Sequence, residues 1–269
     1  MLVLQKRVVT LPTHDTPTSS RILDNPKYAT YFTDCIGALD GTHIDVHLPP
    51  QDQARYRNRK GHLSQNVLAA CDFEMQFSYI LSGWEGSAHD GTVLRDAAFN
   101  HGFKTPAGKY WLGDAGYSNA ETVLVPYRST RYHLKEQRLS GQKPENLKEL
   151  FNLRYASLRN VIERIFGVVK RKYQILQTPS EYSIDTQTRI ILACSGLHNW
   201  VRGIEGPNAD IFLEADTEDK RANEATQPSI IYPEGVVTSK KMDGFRDQLA
   251  EQMWADYQRH INRIESDEE

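Results

Sequence analysis

The sequence predicts a mixed α/β fold in which strands come first and long helices follow. Three observations predict it. Between residues 36 and 84, apolar side chains recur with period two in separate runs, the pattern of strands with one buried face. A shorter apolar run at 109–114 ends in Gly113-Asp114-Ala-Gly116. From about 144 to 174 the period changes, and Leu158, Ile162, Ile165, Phe166 and Val169 fall on one helical face. Strands, a helix, another strand and then long helices describe a mixed sheet that begins with an antiparallel hairpin.

Each element has its own signal. Residues 1–34, rich in Thr, Pro and Ser around 10–20, read as an extended lead-in. The first strand spans 36–48 and is ended by Pro49 and Pro50, which cannot continue a ladder. A basic stretch, Arg55-Tyr-Arg-Asn-Arg-Lys60, follows. Strands at 66–72 and 76–84 are close enough to form a hairpin. A helix at 90–99, the strand at 109–114 and a further strand at 123–126 come next. Pro144 and Glu145 suit a helix start. A second amphipathic helix spans 185–201, a polar loop 205–240, and a last helix 244–259 precedes an acidic end. The chain thus divides into a lead-in (1–34), a main domain (35–204) and an acidic, partly helical C-terminal extension (205–269).

Composition narrows the classes. Of the 32 Lys+Arg and 35 Asp+Glu in 269 residues, residues 1–204 hold 25 and 19, or +6, and residues 205–269 hold 7 and 16, or −9. A mildly basic body tolerates polyanions, but an excess of this size is weak evidence for nucleic acid. Cys35, Cys71 and Cys194 are widely spaced and read as buried free thiols in a reducing compartment. The histidines show no zinc-like spacing, so no structural zinc is predicted. No apolar run reaches the roughly 18 residues of a membrane span, and the N-terminus lacks the features of a secretory signal.

The chemistry starts at Asp40. Read with period two, Ile36, Ala38, Asp40, Thr42, Ile44, Val46 and Leu48 share a face, and Asp40 is the ionisable group among them. A carboxylate in an apolar setting is costly unless a positive charge neutralises it. Asp114 follows an apolar strand, and Glu163 borders the apolar helical stripe between Ile162 and Ile165. Oxygen ligands from two strands and a helix suit hard divalent cations. Two such ions about 3.5–4 Å apart can act on both the attacking and the leaving oxygen of a phosphodiester. Each residue also has a plainer reading. Asp40-Gly41 suits a turn, Asp114 a loop start, and Glu163 an ion pair with Arg159 four residues earlier.

Five motifs add to this. Gly37-Ala-Leu-Asp-Gly-Thr-His-Ile44, Asn66-Val-Leu-Ala-Ala-Cys-Asp72, Gly83-Trp-Glu-Gly-Ser-Ala-His-Asp90, Leu112-Gly-Asp-Ala-Gly-Tyr117 and Asn160-Val-Ile-Glu-Arg-Ile-Phe-Gly167 occur in this order. Over about residues 30–202 the chain resembles the DDE nuclease domain of PIF/Harbinger transposases and Harbinger transposase-derived nucleases. The resemblance implies a ribonuclease H-like mixed β-sheet flanked by helices, a metal-dependent DNA endonuclease, and Mg²⁺ or Mn²⁺ as cofactor, two ions in number. It places the catalytic and metal-binding triad on Asp40, Asp114 and Glu163, with His89 and Asp90 bordering the site. Asp90 equally suits the N-cap of the helix it opens, and the cap is the preferred reading.

Arg55, Arg57, Arg59 and Lys60, and on the long helix Arg159, Lys170 and Arg171, are candidate contacts to a DNA backbone. The alternative for the first group is an ordinary solvated loop. His43 lies opposite Asp40 and suits a structural hydrogen bond. Trp84, Trp111 and Trp200 suit the core, and Trp254 an anchor for the last helix. The resembled family carries an N-terminal helical DNA-binding region and works with a Myb-like DNA-binding protein. The lead-in here is too short for that region, so a truncated or host-adopted relative that binds DNA or protein without cutting is the alternative. A homo-oligomer is left open, and the nucleus is the expected location, with the cytoplasm as alternative.

Overall fold

The computed structural model describes residues 2–130, 143–206 and 239–267. Five strands form one sheet: Cys35–Asp45 (β1), Ser64–Cys71 (β2), Phe77–Glu85 (β3), Tyr110–Leu112 (β4) and Val123–Leu124 (β5). Their order is β3-β2-β1-β4-β5. β1, β2 and β3 are antiparallel neighbours, while β4 runs parallel to β1 and β5 parallel to β4. The predicted hairpin is β2–β3. Its turn is closed by Asp72, whose Oδ1 accepts from the Gln76 amide at 2.8 Å, and Met75 takes φ +61°.

The helices are Leu2–Val8 (α1), Ser20–Leu23 (α2), Gln53–Tyr56 (α3), Asp90–Asn100 (α4), Leu147–Lys172 (α5), Ile184–Glu205 (α6) and Lys240–Asp267 (α7). They leave the sheet between two apolar layers. On one face Ala38, Ile44, Val67, Ala69 and Leu112 pack with Leu158, Ile162 and Ile165 of α5, Ile191 of α6 and Met253 of α7. On the other, Leu39, Leu68, Ala70 and Trp111 pack with Val93 and Ala97 of α4. β2 is buried at every position, as expected of an interior strand covered on both sides.

Several expectations are corrected. Ile36 does not share a face with Asp40. The pairing of β1 with β4 slips between Cys35 and Gly37, so Ile36 joins the α4 side while Cys35 and Ala38 join the α5 side. Such an irregularity shifts the period by one residue. Gly37 permits it: φ is +150°, and a Cβ there would stand 2.0 Å from the Cys71 carbonyl oxygen. The lead-in is more than an extended strap. It contains α1 and α2 and contributes Ile22, Tyr28, Tyr31 and Phe32 to the α5-side core. α1 packs on α6, where Gly196 lets the Gln5 backbone approach; a Cβ on it would lie 2.6 Å from Gln5 Cα.

Part of the basic stretch forms α3 in place of a loop. Trp200 is not core but 48% exposed, because His198, Asn199 and Arg202 take the inward positions of α6. Trp111 is fully buried, and Trp254 packs against the core as an anchor. α7 is longer than predicted at both ends. The polar loop predicted at 205–240 lies mostly outside the described residues. All three cysteines are free and buried. No helix among the described residues is long and apolar enough to cross a membrane.

Candidate active site

Asp40 and Asp114 are brought side by side by strand register. Ala38 pairs with Leu112 between the parallel strands β1 and β4. Two residues further along each strand come Asp40 and Asp114, and a two-residue step returns to the same face. Each carboxylate accepts from the next backbone amide: Asp40 Oδ1 from Gly41 at 2.9 Å, and Asp114 Oδ1 from Ala115 at 2.6 Å.

The third acid comes from α5. Asn146 caps this helix by accepting from the amides of Lys148 and Glu149. Tyr155 fixes it to the sheet, its hydroxyl lying 2.6 Å from the Gly113 carbonyl oxygen and 2.7 Å from that of Leu124. One turn further, Arg159 reaches into the acids. Its Nη1 donates to Glu163 Oε1 at 2.7 Å, and its Nη2 donates to Asp40 Oδ2. The plainer reading of Glu163 as the partner of Arg159 therefore holds as geometry, and the same guanidinium ties Glu163 to Asp40.

Asp90 approaches from the other side of the sheet. His89 occupies the N-cap of α4 without a side-chain capping bond, and Asp90 is the first residue of the helix. The preference for Asp90 as a cap is corrected. Its Oδ1 accepts from Asn66 Nδ2 at 2.7 Å, and Asn66 also donates to the Ala88 carbonyl. Gly41 makes room for it, since a Cβ at that position would lie 2.3 Å from Asp90 Oδ1.

The electrostatics follow from this crowding. Burial pushes the Asp40 carboxyl up; Arg159 pulls it down, while Asp114, Asp90 and Glu163 push it further up. Burial opposes the charge on Arg159, but Asp40, Asp114 and Glu163 outweigh it and raise its pKa above the ordinary value. Tyr117 faces the same acids. Burial first, then Asp90, Asp40 and Asp114, raise its pKa, and its buried hydroxyl has no hydrogen-bond partner. A set of hard oxygen donors with excess negative charge and an unpartnered hydroxyl beside it fits divalent cations such as Mg²⁺ or Mn²⁺. As the side chains stand, no three His, Cys, Asp or Glu groups among the described residues are close enough to hold a metal ion. Asp40 and Glu163 meet on a guanidinium instead.

The remaining candidates are more dispersed. Arg55 pairs with Asp52 at 3.3 Å and Glu85 at 3.1 Å, Arg57 donates to the Gly61 carbonyl at 2.7 Å, and Arg59 donates to His89. These three and Lys60 are exposed, as is Arg171. Lys170 is turned inward, donating to Thr42 Oγ1 at 2.9 Å and to the His43 carbonyl at 3.0 Å. Lys170 and Arg159 thus brace α5 against β1. His43 makes the expected structural bond, 3.0 Å to Ser64 Oγ. Sequence reasoning missed the partnership of Asn66 with Asp90 and the position of Tyr117. A buried Asn in an otherwise apolar strand was the available signal for the first.

Comparison with known proteins defines the class to which this mixed-sheet protein belongs. The family model described as DDE superfamily endonuclease matches residues 39–199. That is more than half of the chain, which belongs to this family. The chain is homologous to Harbinger-derived nucleases. It is 27% identical over 186 residues to the "Putative nuclease HARBI1" of Rattus norvegicus, covering 64% of this chain and 50% of the relative. The Homo sapiens protein of that name is 27% identical over 169 residues, covering 61% and 45%. "Protein ALP1-like" of Arabidopsis thaliana is 25% identical over 198 residues, covering 65% and 45%. The chain spans about half the length of the curated relatives it matches. No solved structure matches.

Proposed function

We propose that this chain is a divalent-metal-dependent DNA endonuclease, with Asp40, Asp114 and Glu163 as its metal-binding and catalytic acids. The observation that carries the proposal is that one guanidinium, Arg159, bonds both Asp40 of β1 and Glu163 of α5, while the register of β1 with β4 puts Asp114 next to Asp40. The strand order and the helices on both faces support a ribonuclease H-like reading of the fold. When bound, one or two Mg²⁺ or Mn²⁺ ions would supply Lewis-acid activation of water and charge stabilisation at the leaving oxygen.

The chain's own residues have definable tasks. The amides of Gly41 and Ala115 orient the two aspartates. Tyr155 fixes the height of α5 so that Glu163 faces them. Asn66 holds Asp90 at the rim, where its charge adds to the field. Exposed Arg55, Arg57, Arg59, Lys60 and Arg171 are proposed to meet phosphates, and DNA is the proposed substrate. A Myb-like DNA-binding protein is the proposed partner, and the nucleus is the proposed site of action.

The test is nicking of supercoiled plasmid. Mg²⁺-dependent nicking is expected, abolished by chelation and reduced by roughly 100-fold or more in Glu163→Gln, as for loss of a group acting on the transition state. A Glu163→Gln protein that nicks as fast as the parent would remove Glu163 from the site. One observation favours a second reading, a catalytically silent relative that binds DNA or protein: Arg159 already satisfies Asp40 and Glu163. That reading predicts DNA or partner binding with no divalent cation uptake.

A further inference from the structure

Arg159 is a nearly buried arginine set among acids of the candidate site. Arg202 bonds main-chain carbonyls, those of Glu74 and Gly206, as a structural arginine does. The hydrogen bonds of Arg159 go to carboxylates, those of Asp40 and Glu163, and its buried Nε has no partner. Its side chain is 12% exposed, beside an Asp40 side chain that is 17% exposed. Glu163, at 41%, marks the open side of the cluster.

This placement has an electrostatic reason. Acids gathered at one point repel one another, and removing one partner from a buried ion pair leaves an uncompensated charge. The protein without metal needs a cation there, and Arg159 supplies it. A guanidinium and a divalent cation require the same carboxylate oxygens, and Asp40 Oδ2 cannot serve both. We propose that Arg159 is a built-in counter-ion that closes the carboxylate cluster and competes with divalent cations for Asp40 and Glu163. Metal loading then requires the guanidinium to leave Asp40 through the open side beside Glu163. The proposal rests on the reading of the cluster as a metal site and adds a control on its occupancy. The apparent metal affinity is lowered by the fraction of molecules in which the arginine is turned away.

The experiment is calorimetric titration of the full chain with Mn²⁺, comparing the parent with Arg159→Gln. An arginine that is turned away in a tenth of molecules or fewer predicts a variant affinity at least about tenfold tighter. Equal or weaker binding by the variant overturns the competition and leaves the metal site standing. No Mn²⁺ binding by either protein overturns both. If Arg159→Gln does not fold, the parent alone decides through the side-chain Nε resonance of Arg159 during a Mg²⁺ titration. The resonance is expected to shift, and its hydrogen to exchange faster, as Mg²⁺ saturates. A resonance unmoved at saturation overturns the proposal.

Discussion

Asp40 is tolerated inside the sheet because one backbone amide and one guanidinium bind it. Asp72 is another partly buried acid, bonded to the backbone amide that closes its turn. Burial pushes its carboxyl up to about 7, although the Gln76 amide favours its charged form. A folded pKa above the unfolded value means that the folded state keeps its proton longer. The contribution is fully present below about pH 4 and is lost as pH rises to about 7. Asp72→Asn should therefore gain stability relative to the parent across that window, at a slope of up to about 1.4 kcal/mol per pH unit. Urea melts of both proteins at several pH values measure this. A difference independent of pH would contradict it. As candidates, Asp40, Asp114 and Glu163 were legible because each lies inside a recognisable motif. The bond from Asn66 to Asp90 was not, since the partners lie 24 residues apart and only β2 and the start of α4 bring them together.

At the scale of elements, α5 matters most to the site, and its cap tests how firmly it is set. Asn146→Ala removes the acceptor for two amides and should cost about 1 kcal/mol, read from denaturant midpoints. Gly41→Ala acts differently. Its Cβ meets the movable end of Asp90, so plasmid nicking should fall several-fold while the melting temperature changes by only a few degrees, consistent with about 1 kcal/mol or less. A large loss of melting temperature would place Gly41 in the packing instead. The sequence periods located all five strands, α5 and α6 to within a few residues, but not the ends of α7. They could not show the irregularity at Gly37, because the groups that crowd that position, the Cys71 carbonyl and the Trp111 ring, lie far away in sequence. The inward turn of Lys170 was equally hidden, since its acceptors belong to β1.

At the scale of the molecule, the two ends are part of the core. α7 lays Met242, Leu249, Ala250 and Met253 on the α5 side, and Tyr127 donates to Asp247 at 2.6 Å. Met253 is fully buried, so Met253→Ala should cost about 2–5 kcal/mol in urea unfolding. A change below 1 kcal/mol, in the range of an ordinary surface substitution, would mean that α7 is a detachable extension, as the acidic composition of residues 205–269 suggested. In α7 a few apolar residues carry the packing. The central claim is that the carboxylates joined by β1, β4 and α5 form a divalent-cation site. Calorimetric titration of the parent and of Asp114→Asn with Mn²⁺ tests it most directly. The account predicts saturable binding by the parent that is lost or weakened at least about tenfold in the variant, as for removal of a metal ligand or its close support. A parent that takes up no Mn²⁺, or a variant that binds it equally well, would contradict it.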